Sequence, residues 1–162
     1  MAFTAGQYIK ATDGDSAETD GGAIAPPLFA YSAGFSTTSV TPVPITGCSW
    51  TVEDDTFYAV DIWIAVDAAS PSSGDISTTG TAVFTALLIA QWFDGAGNLF
   101  AADRPATFTS AALLADVWLH FFGTIKVTTA GTIILNALSL NGPSDAFAVD
   151  EVRMTLTPIG TV

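Results

Sequence analysis

The last third of the chain limits its fold more than any other feature. Residues 118–129 read WLHFFGTIKVTT, a turn follows at Ala130-Gly131, and residues 132–140 read TIILNALSL. A break at Asn141-Gly142-Pro143-Ser144 then leads into AFAVDEVRMTLT, residues 146–157. Apolar and polar residues alternate with the two-residue period of a strand, and Gly, Asn and Pro stand where tight turns need them. Three such runs in succession close an antiparallel sheet and leave no room for a long helix.

Composition agrees. Thr, Val, Ile and aromatic residues suit a pleated, half-buried surface, and the chain holds eleven Phe and four Trp. Lys and Arg total four, and charged residues are 12% of the chain, so the charged helix formers are scarce. With 162 residues, 49% of them apolar, the expectation is one domain with a full core.

The few charges are one-sided. Sixteen Asp and Glu against four Lys and Arg give a net charge of −12. Binding phosphates needs a cationic face, so nucleic acid is not an expected partner, and neither is an anionic membrane. The simplest role of this charge is to keep an apolar-rich surface dispersed. Cys48 is the only cysteine, which rules out an intramolecular disulfide. Met1 to Gln7 lacks the basic and apolar regions of a signal peptide. No segment approaches ~18 uninterrupted apolar residues. The longest candidates, Phe57 to Val66 and Ala82 to Phe93, contain Asp61 and Gln91 and are of strand length. Synthesis in a cytoplasm is therefore expected.

Residues 1–25 differ from the remainder. Asp13 to Gly22 is acidic and Gly-rich without apolar periodicity, as in a solvated loop. Before it stand Phe3, Tyr8 and Ile9. Those three are the candidate partner-contact residues of an anchoring arm; the alternative is a frayed terminus. Residues 26–162 form the expected domain.

Within that domain the pattern predicts strands over Leu28–Ser32, Thr37–Ile45 and Ser49–Val52, the second an edge because of Pro42 and Pro44. Phe57 to Asp67 is the clearest strand, with Tyr58, Val60, Ile62, Ile64 and Val66 on one face. Ala68 to Gly80 reads as a loop. Thr81 to Phe93, apolar on both faces, reads as a strand in the middle of a sandwich. Asp94 to Asn98 is a hairpin turn, Leu99–Ala101 the return, and Thr107–Ser110 a further strand. Ala111 to Asp116 is a helical turn or a loop. With the three closing runs the total is about eight strands without internal repeats, a sandwich or jelly roll.

No catalytic constellation emerges. His120 is the only histidine; it shares a strand face with Trp118, Phe122, Thr124 and Lys126 and reads as packing or surface. No Gly-x-Ser-x-Gly elbow occurs. The carboxylate clusters Glu53-Asp54-Asp55 and Asp150-Glu151 read as a turn and as a strand with its two acids on opposite faces, Asp150 on the side of Ala148, Val152, Met154 and Leu156. Neither shows the opposed pair a glycosidase needs. Asp150 and the 13–20 loop are the candidate calcium ligands, but the loop lacks the EF-hand order, so no metal or other cofactor is expected. Trp63, Trp92 and Trp118 lie inside strands, where core packing is favoured over a sugar-stacking platform.

Two resemblances carry the functional expectation. The segments TFYAVDIWIAVD (56–67), FTALLIAQWFDGAGNLF (84–100), VWLHFFGTIKVTTAGTIILNALSL (117–140) and AFAVDEVRMTLTP (146–158) resemble the strand order of family 4/9-type carbohydrate-binding jelly rolls. That implies an all-β jelly-roll β-sandwich of about eight antiparallel strands with an extended N-terminal arm. The Asn-rich opening strand that supplies a structural calcium ligand in those modules has no counterpart here. Separately, FTAGQYIKATD (3–13) is similar to the opening of many bacteriophage head and tail structural proteins. Together they imply a non-enzymatic virion protein made in the host cytoplasm, first a capsid decoration protein that binds and stabilises the head. A minor tail or fibre component and a carbohydrate-binding module are the alternatives. The implied partners are the major capsid protein or other virion proteins, further copies of the chain in a homotrimer, and a host surface glycan.

Overall fold

In the computed structural model, which describes residues 25–70 and 72–161, the chain is all-β. Eleven strands follow in order: β1 (Leu28–Ser32), β2 (Phe35–Thr37), β3 (Val43–Val52), β4 (Thr56–Val66), β5 (Gly74–Gly80), β6 (Val83–Asp94), β7 (Leu99–Asp103), β8 (Ser110–Leu113), β9 (Val117–Thr129), β10 (Gly131–Ser139) and β11 (Phe147–Thr161). They make two antiparallel sheets. The larger runs β1-β11-β4-β9-β6-β7, with β2 also paired to β11, and the smaller runs β3-β10-β5-β8.

The two sheets bury one core between them. From the large sheet, β4 contributes Tyr58, Val60, Ile62, Ile64 and Val66, the face its alternation marks out. Leu119, Phe121, Ile125 and Val127 come from β9, and Val152, Met154 and Leu156 from β11. The small sheet supplies Ile45, Cys48, Trp50, Ile76, Ile133 and Leu135. Phe108 meets Phe121 edge-on at 6.1 Å and Trp50 at 6.2 Å, the off-stacked geometries ring quadrupoles favour. Each fully buried Phe stabilises the sandwich by about 1.5–3 kcal/mol over an exposed one. Some polar groups inside are paired: Ser139 Oγ donates to the Asp145 carbonyl at 2.8 Å and lies 2.8 Å from Ser72 Oγ, whereas Trp50 Nε1 and Ser110 Oγ are buried without a hydrogen-bond partner among the described residues.

The eleven strands differ in number and bounds from the expectation of about eight, and the reasons are local. β3 continues from Val43 to Val52 and absorbs two predicted segments; Pro44 is tolerated because β3 is an edge strand of its sheet. Gly74–Gly80, read as loop, is an interior strand between β10 and β8. Ile76 is its only large apolar residue, and Gly74 leaves room for the Phe147 ring that a Cβ would strike. β8 begins at Ser110, so the helical turn considered over Ala111–Asp116 is strand through Leu113. β6 is not central: it stands one strand in from the β7 edge, and Leu87 is 81% exposed.

Candidate functional site

β-Strands project alternate residues to opposite faces, so filling the core with one set displays the other on the outward face of the large sheet. Across that face the strand register aligns Tyr31 of β1 with Arg153 of β11, Arg153 with Trp63 of β4, Trp63 with His120 of β9, and His120 with Gln91 of β6. Five strands thus contribute one row. The row beside it holds Phe29, Thr155, Asp61, Phe122 and Ile89.

The centre of these rows is ordered by ring stacking. Trp63 and His120 lie face to face, with centroids 3.9 Å apart and planes 8° from parallel. Phe122 stacks on the other side of His120 at 4.9 Å, and Phe93 lies 5.9 Å from Trp63. His120 Nε2–H donates to Asp61 Oδ1 at 2.7 Å, which fixes the imidazole plane. Trp118, 40% exposed, closes the end of a shallow pocket of about 180 Å³ with Trp63, Glu151 and Arg153. Arg153 Nε donates to Glu151, and this hydrogen bond, with the glutamate charge, raises the guanidinium pKa above its ordinary value. At the far end of the face Lys126 Nζ stands 5.7 Å above the Phe57 ring.

This arrangement corrects three sequence expectations. Trp63 and Trp118 are not core: both face outward, and the tryptophan buried in the core is Trp50. Trp92 is partly buried, packed at the margin of the core. Asp150 is exposed rather than grouped with Val152, Met154 and Leu156, because a β-bulge between Val149 and Glu151 shifts the alternation by one residue. The same bulge puts Glu151 on the outward face beside Arg153. His120 is a surface and packing residue, as expected, but its stack with a neighbouring-strand tryptophan needed the register to be seen.

The chemistry on offer is recognition. Flat ring faces offer stacking surfaces, while Asp61, Glu151, Arg153 and Gln91 offer donors and acceptors at their edges. Among the described residues, no group of three or more His, Cys, Asp or Glu is placed to hold a metal ion. Cys48 is buried in the core, and desolvation pushes its thiol pKa up to about 12, so it is not a poised nucleophile. Phe3, Tyr8 and Ile9, the sequence candidates for partner contact, lie outside the described residues. Compared with known proteins, the chain matches no family model and no curated protein.

Proposed function

We propose that the chain is a non-enzymatic structural protein of a bacteriophage virion, and that the outward face of its large sheet is the surface by which it attaches. Capsid decoration is the first reading within the virion. The observation that carries the attachment surface is the row Tyr31–Arg153–Trp63–His120–Gln91. Tyr, Arg and Trp are the residue types that dominate protein-interface energetics, and here Tyr31, Arg153 and Trp63 are grouped on one outward face, with Trp63 stacked on His120. The similarity of residues 3–13 to virion-protein openings supplies the virion context. Strand order supports the jelly-roll form of the sandwich. With β2 and the β6–β7 hairpin set aside, the sheets run β1-β11-β4-β9 and β3-β10-β5-β8, two interleaved Greek keys.

The test is the composition of purified particles. Quantitative mass spectrometry should find the chain in intact virions at a copy number comparable with the major capsid protein. A few copies per particle would move it to the tail, and complete absence from particles would sink the virion reading. In reconstitution, Trp63→Ala should abolish attachment to particles that lack the protein.

A second reading, a carbohydrate-binding module, is favoured by the Trp63–Trp118 pocket with its Arg153 and Glu151 edges. A glycan array separates the two: saturable binding to a saccharide, lost in Trp118→Ala, would favour the module.

A further inference from the structure

Among the described residues the large sheet ends at β7, which pairs with β6 on one side. An edge strand presents unpaired N–H and C=O groups that template another strand, and proteins commonly blunt such edges with Lys or Pro. Here β7 reads Leu99-Phe100-Ala101-Ala102-Asp103, and every residue in it is exposed. Behind it opens a groove of about 430 Å³ lined by Trp92, Phe100, Leu113, Leu114 and Val117, with Asp103 at its rim. Phe100 is 58% exposed and Leu114 61%. An apolar groove beside an unpaired edge is the geometry of strand addition, with backbone pairing for affinity and pockets for side chains.

We propose that this groove takes residues 3–10 of a second copy of the chain, added as a strand beside β7. Three observations select that occupant. In an extended segment Phe3, Ala5, Gln7 and Ile9 share one face, apolar except at Gln7, while Tyr8 and Lys10 fall on the other. Residues 1–12 carry Lys10 and no carboxylate, in a chain with a net charge of −12. The receiving end is acidic: Asp103 stands on the rim, Asp94 lies opposite Val117, and the Asp116 carboxylate packs over Gly95, with Arg104 the one neighbouring cation in the sequence around them.

The third observation is placement. β1, into which the N-terminal segment leads, and β7 are opposite ends of the large sheet's main path, five strand spacings or roughly 24 Å apart. A segment leaving one molecule at its β1 edge meets the β7 edge of a neighbour set head to tail. Residues 11–24 span up to roughly 50 Å when extended, ample for the crossing. Repeated head to tail, such a heterologous contact generates a ring when the rotation between copies closes.

The test uses the full chain in solution and is independent of any particle. The wild-type protein should run as an oligomer by light scattering. Phe100→Asp and Leu114→Asp, both at exposed positions, should each give monomers with unchanged far-UV circular dichroism. Mixing an Ile9→Cys chain with a Phe100→Cys chain under mild oxidation should give a mixed covalent dimer, which the buried Cys48 does not form. A monomeric wild type, an oligomer that survives both Asp variants, or the absence of a mixed covalent dimer would each overturn the proposal. Particle binding that persists in Trp63→Ala, with this oligomer intact, would instead count against the attachment face alone.

Discussion

Trp63 and His120 stack face to face across β4 and β9, 3.9 Å between centroids, while Asp61 two residues along β4 holds the imidazole edge. The stack faces outward, so its removal and the removal of a core ring should have different consequences. Trp63→Ala should cost about 0.5–1.5 kcal/mol of stability, the usual range for an aromatic pair. Trp50→Ala, in the core, should cost about 3–5 kcal/mol. Denaturant melts of both variants check this. A Trp63→Ala protein that fails to fold would show the stack to be structural rather than a recognition surface.

Cys48 makes the alkaline limb of stability predictable. Its thiol is pushed from 9.0 to about 12 by burial, so above pH 9 the unfolded chain loses a proton that the folded chain keeps. The unfolded state then binds fewer protons, and stability falls as pH rises between 9 and about 12, by about 1.4 kcal/mol per unit. Below pH 9 the group contributes no slope. Cys48→Ala should remove this component, and chemical denaturation at a series of pH values measures it. Thiol reagents should label Cys48 only as the protein unfolds.

The β6–β7 turn is organised by one carboxylate. Asp94 accepts from the Asn98 side chain at 3.0 and 3.2 Å, from the Asn98 amide at 2.8 Å and from the Ala96 amide at 3.0 Å. These bonds favour the charged form, with the Asn98 side chain the largest cause, and lower the pKa below the ordinary value. A lowered carboxylate pKa stabilises the turn above the unfolded pKa, and that contribution disappears as pH falls through the folded value. Asn98→Ala should therefore raise the Asp94 pKa toward the ordinary carboxylate range, as read by NMR titration. An unchanged pKa would mean the backbone amides alone hold the carboxylate.

Much of the fold could be read from residue order, because strands with one buried face carry a two-residue signal. β4, β9 and β11 each show it, and each lies near its expected bounds. The signal fails where neither face is markedly apolar. Gly-Asp-Ile-Ser-Thr-Thr-Gly became β5 because its neighbours β10 and β8 needed a partner, a tertiary cause with no local trace. The site was less legible. Whether Trp63 faces in or out depends on phase, and Ile62 and Ile64 had already claimed the inward side, so that placement could have been inferred. The alignment of Tyr31, Arg153, Trp63 and His120 could not, since it follows from register between strands far apart in sequence. The phase of Arg153 relative to Asp150 further depends on a bulge that no residue type announces.

Gly123 supports this face from below and offers the sharpest backbone test. It lies in β9 between Val60 of β4 and Leu88 of β6, at φ +141°, where L side chains are rarely found. A Cβ there would stand 2.1 Å from the Leu87 carbonyl oxygen. That neighbour is backbone within a paired strand, so it cannot swing aside as a flexible side chain would. Gly123→Ala should cost at least about 1–3 kcal/mol from the conformation alone, plus the displacement of β6. Gly160, near the end of β11, is the control: its φ is not positive and a Cβ would meet nothing within 4 Å. Gly160→Ala should be neutral or stabilising by about 0.4–1 kcal/mol, since it restricts the unfolded chain more than the folded one. Thermal melts of the two variants side by side decide the matter. Equal effects would mean that β6 and β9 are not held as closely at Gly123 as this geometry requires, and the rigidity argued for the Trp63–His120 row would fail with it.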